Sequence, residues 1–301
     1  MKINIVRSDE IYLKMAGSSE EKRDDIFRWE IMGPFQKKWD LINVPMKAKT
    51  PGGYDVVMAS SMLGLMPPKQ IDQDVSEQIE LISNENLWNL CRKEIESSLN
   101  RFGGAGYTLP VEEYTFSILL ANPDSIYTKL SDGYSGDGGI PGYIFLSVVP
   151  GKYTLDRLPA ALAHECNHNI RFQYVKWSPN VTLVDMLVCE GLAENYATSL
   201  YGEDKVGPWV SRTDKLTLNS VVKPLLKENL HATGFENITP LLYGDEIASE
   251  QGYNTFGLPF CAGYACGYEM IKFYLNKTRK SIIDATVMPT EDIVSELDGF
   301  W

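Results

Sequence analysis

The segment "HECNH" at residues 164–168 constrains this chain more than any other part of its sequence. The chain contains only three histidines, and two of them, His164 and His168, lie here with Glu165 between them. On an α-helix, positions i and i+4 share one face, so both imidazoles can reach one zinc ion at about 2.0–2.1 Å. Glu165 is then available as the general base of a hydrolysis. The segment therefore requires a helix and predicts a zinc site on it.

The residues before the motif favour this helix. Residues 160–163 are alanines and a leucine, which are strong helix formers, and Pro159 suits a first helical turn. We therefore expect the zinc helix to begin near Pro159. A five-residue motif also arises by chance, so the prediction depends on finding a third ligand.

The third ligand is expected on a second helix. An HExxHxxGxxH pattern would need glycine and histidine where the chain has Arg171 and Tyr174, which excludes the metzincin arrangement. The segment "LVDMLVCEGLAENYATSLYG" (183–202) instead supplies Glu190, with Glu194 one turn later on the same face. The sequence predicts His164, His168 and Glu190 as ligands of one zinc ion. Glu194 is expected to accept the outer N–H of a ligand histidine.

These segments carry a resemblance to known families. "HECNH" followed by "CEGLAENYA" resembles the gluzincin peptidases, in which the first Glu of the second segment is the third ligand. With the later "GYACGYEMIKFYL", the pattern over about residues 105–300 is similar to the YjaZ-type family of predicted bacterial zinc-dependent proteases. The resemblance implies the same ligands and the same base, Glu165. The chain departs from common gluzincins in a slightly longer ligand gap and in Cys189, where asparagine is frequent.

The remaining pattern predicts an α+β chain in two parts. A mostly helical portion, 1–105, would precede a gluzincin-like zincin domain, 106–301, with a small β-sheet before the zinc helix. A glycine-rich stretch, 131–142, is interpreted as a mobile surface loop rather than a phosphate-binding loop. Other predicted elements are strands at 2–6, 115–122 and 143–149, and helices at 18–42, broken at Gly33–Pro34, and at 84–102.

Peptide hydrolysis also needs a donor to the developing oxyanion. Tyr264 is the first choice and His231 the second, ahead of Tyr253 and Tyr268. Two further expectations concern the surroundings of the site. The strand at 143–149 is a candidate for binding an extended peptide by edge pairing, with a buried strand as the alternative. Cys166 and Cys189, which lie close to the ligands in sequence, are interpreted as packing residues turned away from the metal.

Charge and composition exclude some other classes of protein. A net charge of −12 without a basic cluster argues against nucleic-acid binding. The N-terminal residues do not have the pattern of a signal peptide, and no stretch approaches the roughly 18 apolar residues of a membrane span. The five scattered cysteines suggest no disulfide framework. We therefore expect a cytoplasmic protein that binds neither nucleic acid nor membrane.

The main functional hypothesis is a zinc metallopeptidase of gluzincin type that cleaves a peptide or protein substrate. A second hypothesis keeps the zinc site in a regulatory or peptide-binding protein with little turnover. Its basis is that some relatives carry a heat-shock-regulator label and that the sequence shows no specificity pocket. A third is a helical interaction module without metal. The sequence leaves oligomeric state and the choice between endo- and exopeptidase action open.

Overall fold

A computed structural model describes residues 1–178 and 180–301. Helices predominate, and a small mixed sheet makes the chain α+β, as expected. Its contacts divide it into two compact units. Unit 1 comprises Met1–Ser97 and Val111–Leu162, and unit 2 comprises Ser98–Pro110 and Ala163–Trp301. The domain boundary expected near residue 105 stays a prediction.

The sheet of unit 1 has four strands in the order β1-β2-β4-β3. β2 pairs in parallel with β1 and with β4, whereas β3 pairs antiparallel with β4. β2 is buried from its second residue onward, which explains its continuous apolar run. The three strands predicted from the sequence are confirmed to within about two residues at each end. The strands are β1 (Lys2–Ile5), β2 (Glu113–Leu120), β3 (Tyr134–Ile140) and β4 (Tyr143–Val148).

The interpretation of the glycine-rich stretch as a mobile loop is wrong, because most of it forms β3. Glycine disfavours strands, but here the backbone pairs with β4 and an irregularity in register takes up the residues between Asp137 and Ile140. Two side-chain contacts fix the strand. Ser135 and Ser147 share a hydrogen bond of 2.7 Å, and the buried Lys38 forms an ion pair of 2.7 Å with Asp137.

The proposed edge pairing of a peptide with residues 143–149 is also wrong. This segment forms β4, which has β2 on one side and β3 on the other, so its backbone has no free edge. The edge strands of the described sheet are β1 and β3. The alternative of a buried strand is confirmed.

Eight α-helices begin before residue 174, and in the sequence they lie between or after the strands of this sheet. The predicted break at Gly33–Pro34 is confirmed, since a π-helical turn and a 3₁₀ turn separate two short helices there. The helices are α1 (Ser8–Ala16), α2 (Glu20–Ile26), α3 (Gln36–Leu41), α4 (Val56–Met62), α5 (Ser76–Ile82), α6 (Glu85–Gly104), α7 (Ile126–Leu130) and α8 (Lys152–Tyr174).

α8 differs from the prediction in where it begins. It starts at Lys152 rather than near Pro159, and Pro159 lies inside it. Proline cannot donate to the carbonyl four residues earlier, so it usually marks a first turn, and the sequence pattern therefore predicts a later start of the helix. The motif residues are unaffected because they lie one turn and more beyond the proline.

Unit 2 is formed largely by helices. The longest of those beginning after residue 180 correspond to the two segments that carry the family resemblance. In the described residues, no helix is both long and apolar enough to cross a membrane. The helices are α9 (Leu183–Tyr201), α10 (Pro208–Ser211), α11 (Lys215–Thr217), α12 (Lys223–Glu228), α13 (Phe235–Tyr243), α14 (Asp245–Glu250), α15 (Ala262–Thr278), α16 (Ile282–Thr286) and α17 (Thr290–Val294).

Candidate metal centre

Two helices supply the side chains predicted to bind zinc, and both contributions lie in unit 2. α8 carries His164 and His168 one turn apart on one face. α9 begins with a capping box, in which the Thr182 side chain accepts from the Asp185 amide and the Asp185 carboxylate accepts from the Thr182 amide. This start fixes the register of α9, and Glu190 follows two turns later among buried residues.

The donor atoms of these three residues converge. The two Nε2 atoms of His164 and His168 lie 3.0 Å apart. The Glu190 Oε2 lies 3.3 Å from the first and 3.2 Å from the second. Zinc bonds of roughly 2.0–2.1 Å in a tetrahedron give ligand separations of about 3.3–3.4 Å. The three side chains therefore present three corners of a tetrahedron of the size that zinc requires. Among the described residues, this is the cluster suited to a metal ion.

The electrostatics of the cluster favour a bound cation. All three side chains are buried, with exposed fractions of 7% or less. Burial acts to lower the pKa of His164, but hydrogen bonds to Glu190 and Glu194 raise it to about 9. Burial likewise opposes the protonation of His168, whereas Cys189 and Glu190 raise its pKa. For Glu190, burial acts to raise the pKa, but the neighbouring imidazoles lower it to about 2. The carboxylates around the two rings therefore favour positive charge in the site, which a bound metal ion would supply.

Glu194 occupies the place expected for the partner of a ligand histidine. Its Oε2 lies 2.8 Å from the outer nitrogen, Nδ1, of His164. The carboxylate also accepts from the Gly207 amide at 2.6 Å and from the Trp209 indole N–H at 2.8 Å. The Trp209 ring in turn meets the His164 ring edge-on, with centroids 5.6 Å apart. Glu194 is thus held by Gly207, just before α10, and by Trp209 in its first turn, and its contact with Nδ1 orients the His164 ring.

Cys189 does not face the three converging donors, but it is more than a packing residue. Its Sγ lies 3.2 Å from Nδ1 of His168, the nitrogen that does not face the other donors. Because α9 turns by about 100° per residue, Cys189 and Glu190 contact the same ring at different nitrogens. Cys166 is fully buried within α8, as expected for a packing residue.

A close crossing of α9 and α15 sets the position of Glu190. Gly191 and Gly267 lie so near each other that a Cβ on Gly191 would be 2.1 Å from the Gly267 carbonyl oxygen. The Asn195 side chain adds a link, since its Nδ2 donates to the carbonyls of Gly191 and Tyr268 at 2.8 and 2.9 Å. The small residues that the sequence shows in "CAGYACGY" therefore permit backbone contact next to a predicted ligand.

The other predicted site residues lie at different places. Glu165 is buried on α8 beside His164. Tyr264 lies on α15, one turn before Gly267, and its ring packs against Tyr243 with centroids 5.7 Å apart. His231 is exposed in a turn whose neighbours pair with the first turn of α9. About seven residues at 1.5 Å each put that turn roughly 10 Å along α9 from Glu190. The oxyanion role of either residue stays a prediction.

Four residues contact the site in ways that the sequence motifs do not predict. For Cys189, its position next to Glu190 is an indication, because consecutive residues of a helix can contact the same neighbouring side chain from two sides. For Trp209, the sequence indicates only that a buried indole N–H needs a hydrogen-bond partner, and not which residue supplies it. The others are Gly207, which lies far from the motifs in sequence, and Arg171, whose buried guanidinium hydrogen bonds to Cys189.

Comparisons with known proteins agree with the pattern of the site. A family model described as "Predicted Zn-dependent protease (DUF2268)" matches residues 87–295. The uncharacterized protein YjfC of Bacillus subtilis (strain 168) is 34% identical over 301 residues, covering 100% of this chain and 99% of that protein. The uncharacterized protein YjaZ of the same organism is 23% identical over 244 residues, covering 78% and 85%. No solved structure matches this chain.

Proposed function

We propose, since this chain belongs to the DUF2268 family of predicted zinc-dependent proteases, that it is a zinc metallopeptidase of gluzincin type. The observation that carries the proposal is the convergence of the two Nε2 atoms and the Glu190 carboxylate at 3.0–3.3 Å. His164, His168 and Glu190 would hold the ion. The match to the family model and to YjaZ confirms the resemblance to the YjaZ-type family.

The positions of the side chains suggest which of them would bind zinc and which would transfer protons. A zinc ion held by the three ligands would polarise the substrate carbonyl and lower the pKa of a water molecule. Glu165 lies on the same helix between the ligand histidines but is not one of the three converging donors. It would take a proton from the attacking water and deliver it to the leaving amine.

Tyr264 is our first choice for the group that donates to the oxyanion, and His231 is the second. The support for Tyr264 is its place on α15 one turn from the contact with Gly191, next to Glu190. His231 lies at the far end of α9 and is exposed, which weakens its candidacy. Replacing Tyr264 by phenylalanine should lower kcat by about 10²–10³-fold without loss of zinc, if its hydroxyl is the donor.

The experiment that tests the function separates metal binding from turnover. The protein is purified with zinc and incubated with denatured proteins, and new N-termini are counted over time. Glu165→Gln should retain zinc and lose hydrolysis by about 10²–10⁴-fold, because it removes a base and no ligand. Glu228→Gln, the same change at an exposed position at the end of α12, should behave as the wild type.

Two outcomes would contradict parts of this proposal. Zinc binding without cleavage of any denatured protein would favour a regulatory or peptide-binding role. Loss of zinc in Glu165→Gln would make Glu165 a ligand and remove it from the role of base.

A further inference from the structure

The two nitrogens of His168 have different partners. Nε2 faces the other donors of the cluster, at 3.0 Å from His164 and 3.2 Å from Glu190. Nδ1 faces the Cys189 Sγ at 3.2 Å, within hydrogen-bond distance for sulfur. With Nε2 as the donor to a metal, the ring proton resides on Nδ1 and points at the sulfur. Cys189 is buried, with 4% of the residue's surface exposed, so little solvent can reach this contact.

His164 shows the same arrangement with a different partner. Its Nε2 also faces the cluster, and its Nδ1 lies 2.8 Å from the Glu194 carboxylate. Both supporting side chains come from α9, one before Glu190 and one after it. Outer partners of this kind fix the tautomer and the orientation of a ligand ring. A carboxylate in place of Cys189 would add a full negative charge beside Glu190. A thiol can accept the same hydrogen bond with less negative charge.

The sulfur is itself held in place. The Arg171 guanidinium hydrogen bonds to the Cys189 side chain. Arg171 is fully buried and donates to the carbonyls of Thr286 and Met288 at 3.0 and 2.9 Å, and to the Thr290 hydroxyl at 3.0 Å. These contacts fix the guanidinium on the turn between α16 and α17. A connected path of hydrogen bonds therefore runs from this C-terminal turn through the sulfur to His168.

From these contacts we infer that Cys189 is the positioning residue for His168: its sulfur accepts the Nδ1–H and aims Nε2 at the metal. The inference rests on the proposed zinc site and assigns Cys189 no direct bond to the ion. Arg171 presents N–H groups to the same sulfur, so the sulfur accepts from two buried donors. Removal of the sulfur would leave both donors without this acceptor and would free the His168 ring to rotate.

The test compares Cys189→Ala and Cys189→Ser with Cys266→Ala, which removes an equally buried thiol from α15. Zinc affinity is measured by competition with a chelator. Cys189→Ala should bind zinc about 10–100-fold more weakly, the usual effect of losing such a partner. Cys189→Ser should recover most of the affinity because its hydroxyl also accepts a hydrogen bond. Cys266→Ala should bind zinc as the wild type does.

A second readout observes the ring directly. The chain has three histidines, so a spectrum of protein labelled with nitrogen-15 in histidine contains only three rings. His168 should show a protected Nδ1–H in the wild type and in Cys189→Ser. Cys189→Ala should lose that protection, while the Nδ1–H of His164, bonded to Glu194, should keep it. A role in packing alone would leave the His168 signal unchanged.

Several results would overturn the inference. One is zinc affinity in Cys189→Ala within about twofold of the wild type. Another is an equal loss in Cys266→Ala, which would show that any missing thiol disturbs the fold. A wild-type chain that binds no zinc would overturn the zinc site and this inference together. The last result is distinguishable because the wild type is measured before any variant.

Discussion

Gly191 and Gly267 bring the backbones of α9 and α15 into direct contact beside Glu190. A Cβ on Gly267 would lie 2.2 Å from the Leu187 carbonyl oxygen, and a Cβ on Gly191 would lie 2.1 Å from the Gly267 carbonyl oxygen. Neither obstacle is a flexible side chain, so an added methyl group must move a helix. The position of a predicted zinc ligand therefore depends on two residues that have no side chain.

Gly267→Ala should lower both stability and zinc affinity. Overpacking of a close contact costs roughly 1–3 kcal/mol in the free energy of unfolding, and here the backbone must yield. The shift of α9 should also displace Glu190 relative to the two histidines. Gly103→Ala is the matched control, because a Cβ there meets nothing within 4 Å. Chemical denaturation and zinc titration measure the two effects, and equal behaviour of both variants would refute the role of the crossing.

The purified protein should contain about one zinc ion per chain, because three protein ligands and one open position form the usual catalytic set. His168→Ala should lose the metal, since two protein ligands remain. His231→Ala should keep it, because that residue is exposed in a turn away from the cluster. Elemental mass spectrometry after gentle purification checks all three proteins. Wild-type protein without a transition metal would refute the zinc site.

Zinc binding should release protons at neutral pH. The pKa of His164 is raised to about 9, so at pH 7 its ring carries a proton that zinc must displace. The pKa of Glu190 is lowered to about 2, so this carboxylate releases none. Apparent zinc affinity should therefore rise as the pH is raised from 6 towards 9, and the raised pKa of His168 acts in the same direction. Calorimetry in buffers of different ionisation enthalpy counts the protons, and a release of zero at pH 7 would contradict the prediction.

The sequence predicted the parts of the site that depend on local periodicity. Spacing of four residues on one helix is sufficient to place His164 and His168 together, and it did so even though α8 begins seven residues before Pro159. The approach of Glu190 depends on contacts between helices; the need for a third ligand on a second helix pointed to this residue, and the family resemblance implies the same one. The strands β2 and β4 were predictable because each is a short apolar run.

What the sequence failed to predict depends on tertiary contacts. The strand β3 forms because β4 supplies backbone partners, which outweigh the poor strand propensity of its glycines. The contact of Cys189 with His168 depends on the relative rotation of α8 and α9, which no pattern in either helix specifies. Likewise, Trp209 reaches Glu194 only because the chain turns back after α9.

Glu190 and Glu194 should respond differently to replacement by alanine. Glu190→Ala removes a carboxylate that lies 3.2–3.3 Å from both Nε2 atoms, so tight zinc binding should be abolished. Glu194→Ala removes the partner of the outer nitrogen of His164 and should weaken binding about 10–100-fold. Trp209→Phe keeps an aromatic side chain and leaves Gly207 as a donor to Glu194, so its effect should be smaller than that of Glu194→Ala.

The order of these three effects is the sharpest test of the register of α9. A ligand contributes a direct charge contact, its partner mainly orients a ring, and the indole only holds that partner. Zinc affinity, measured against a competing chelator, should therefore fall least in Trp209→Phe, more in Glu194→Ala and most in Glu190→Ala. If Glu194→Ala proves more damaging than Glu190→Ala, then Glu194 is the ligand. The two helices would then meet one turn away from the arrangement in which the three donors lie 3.0–3.3 Å apart.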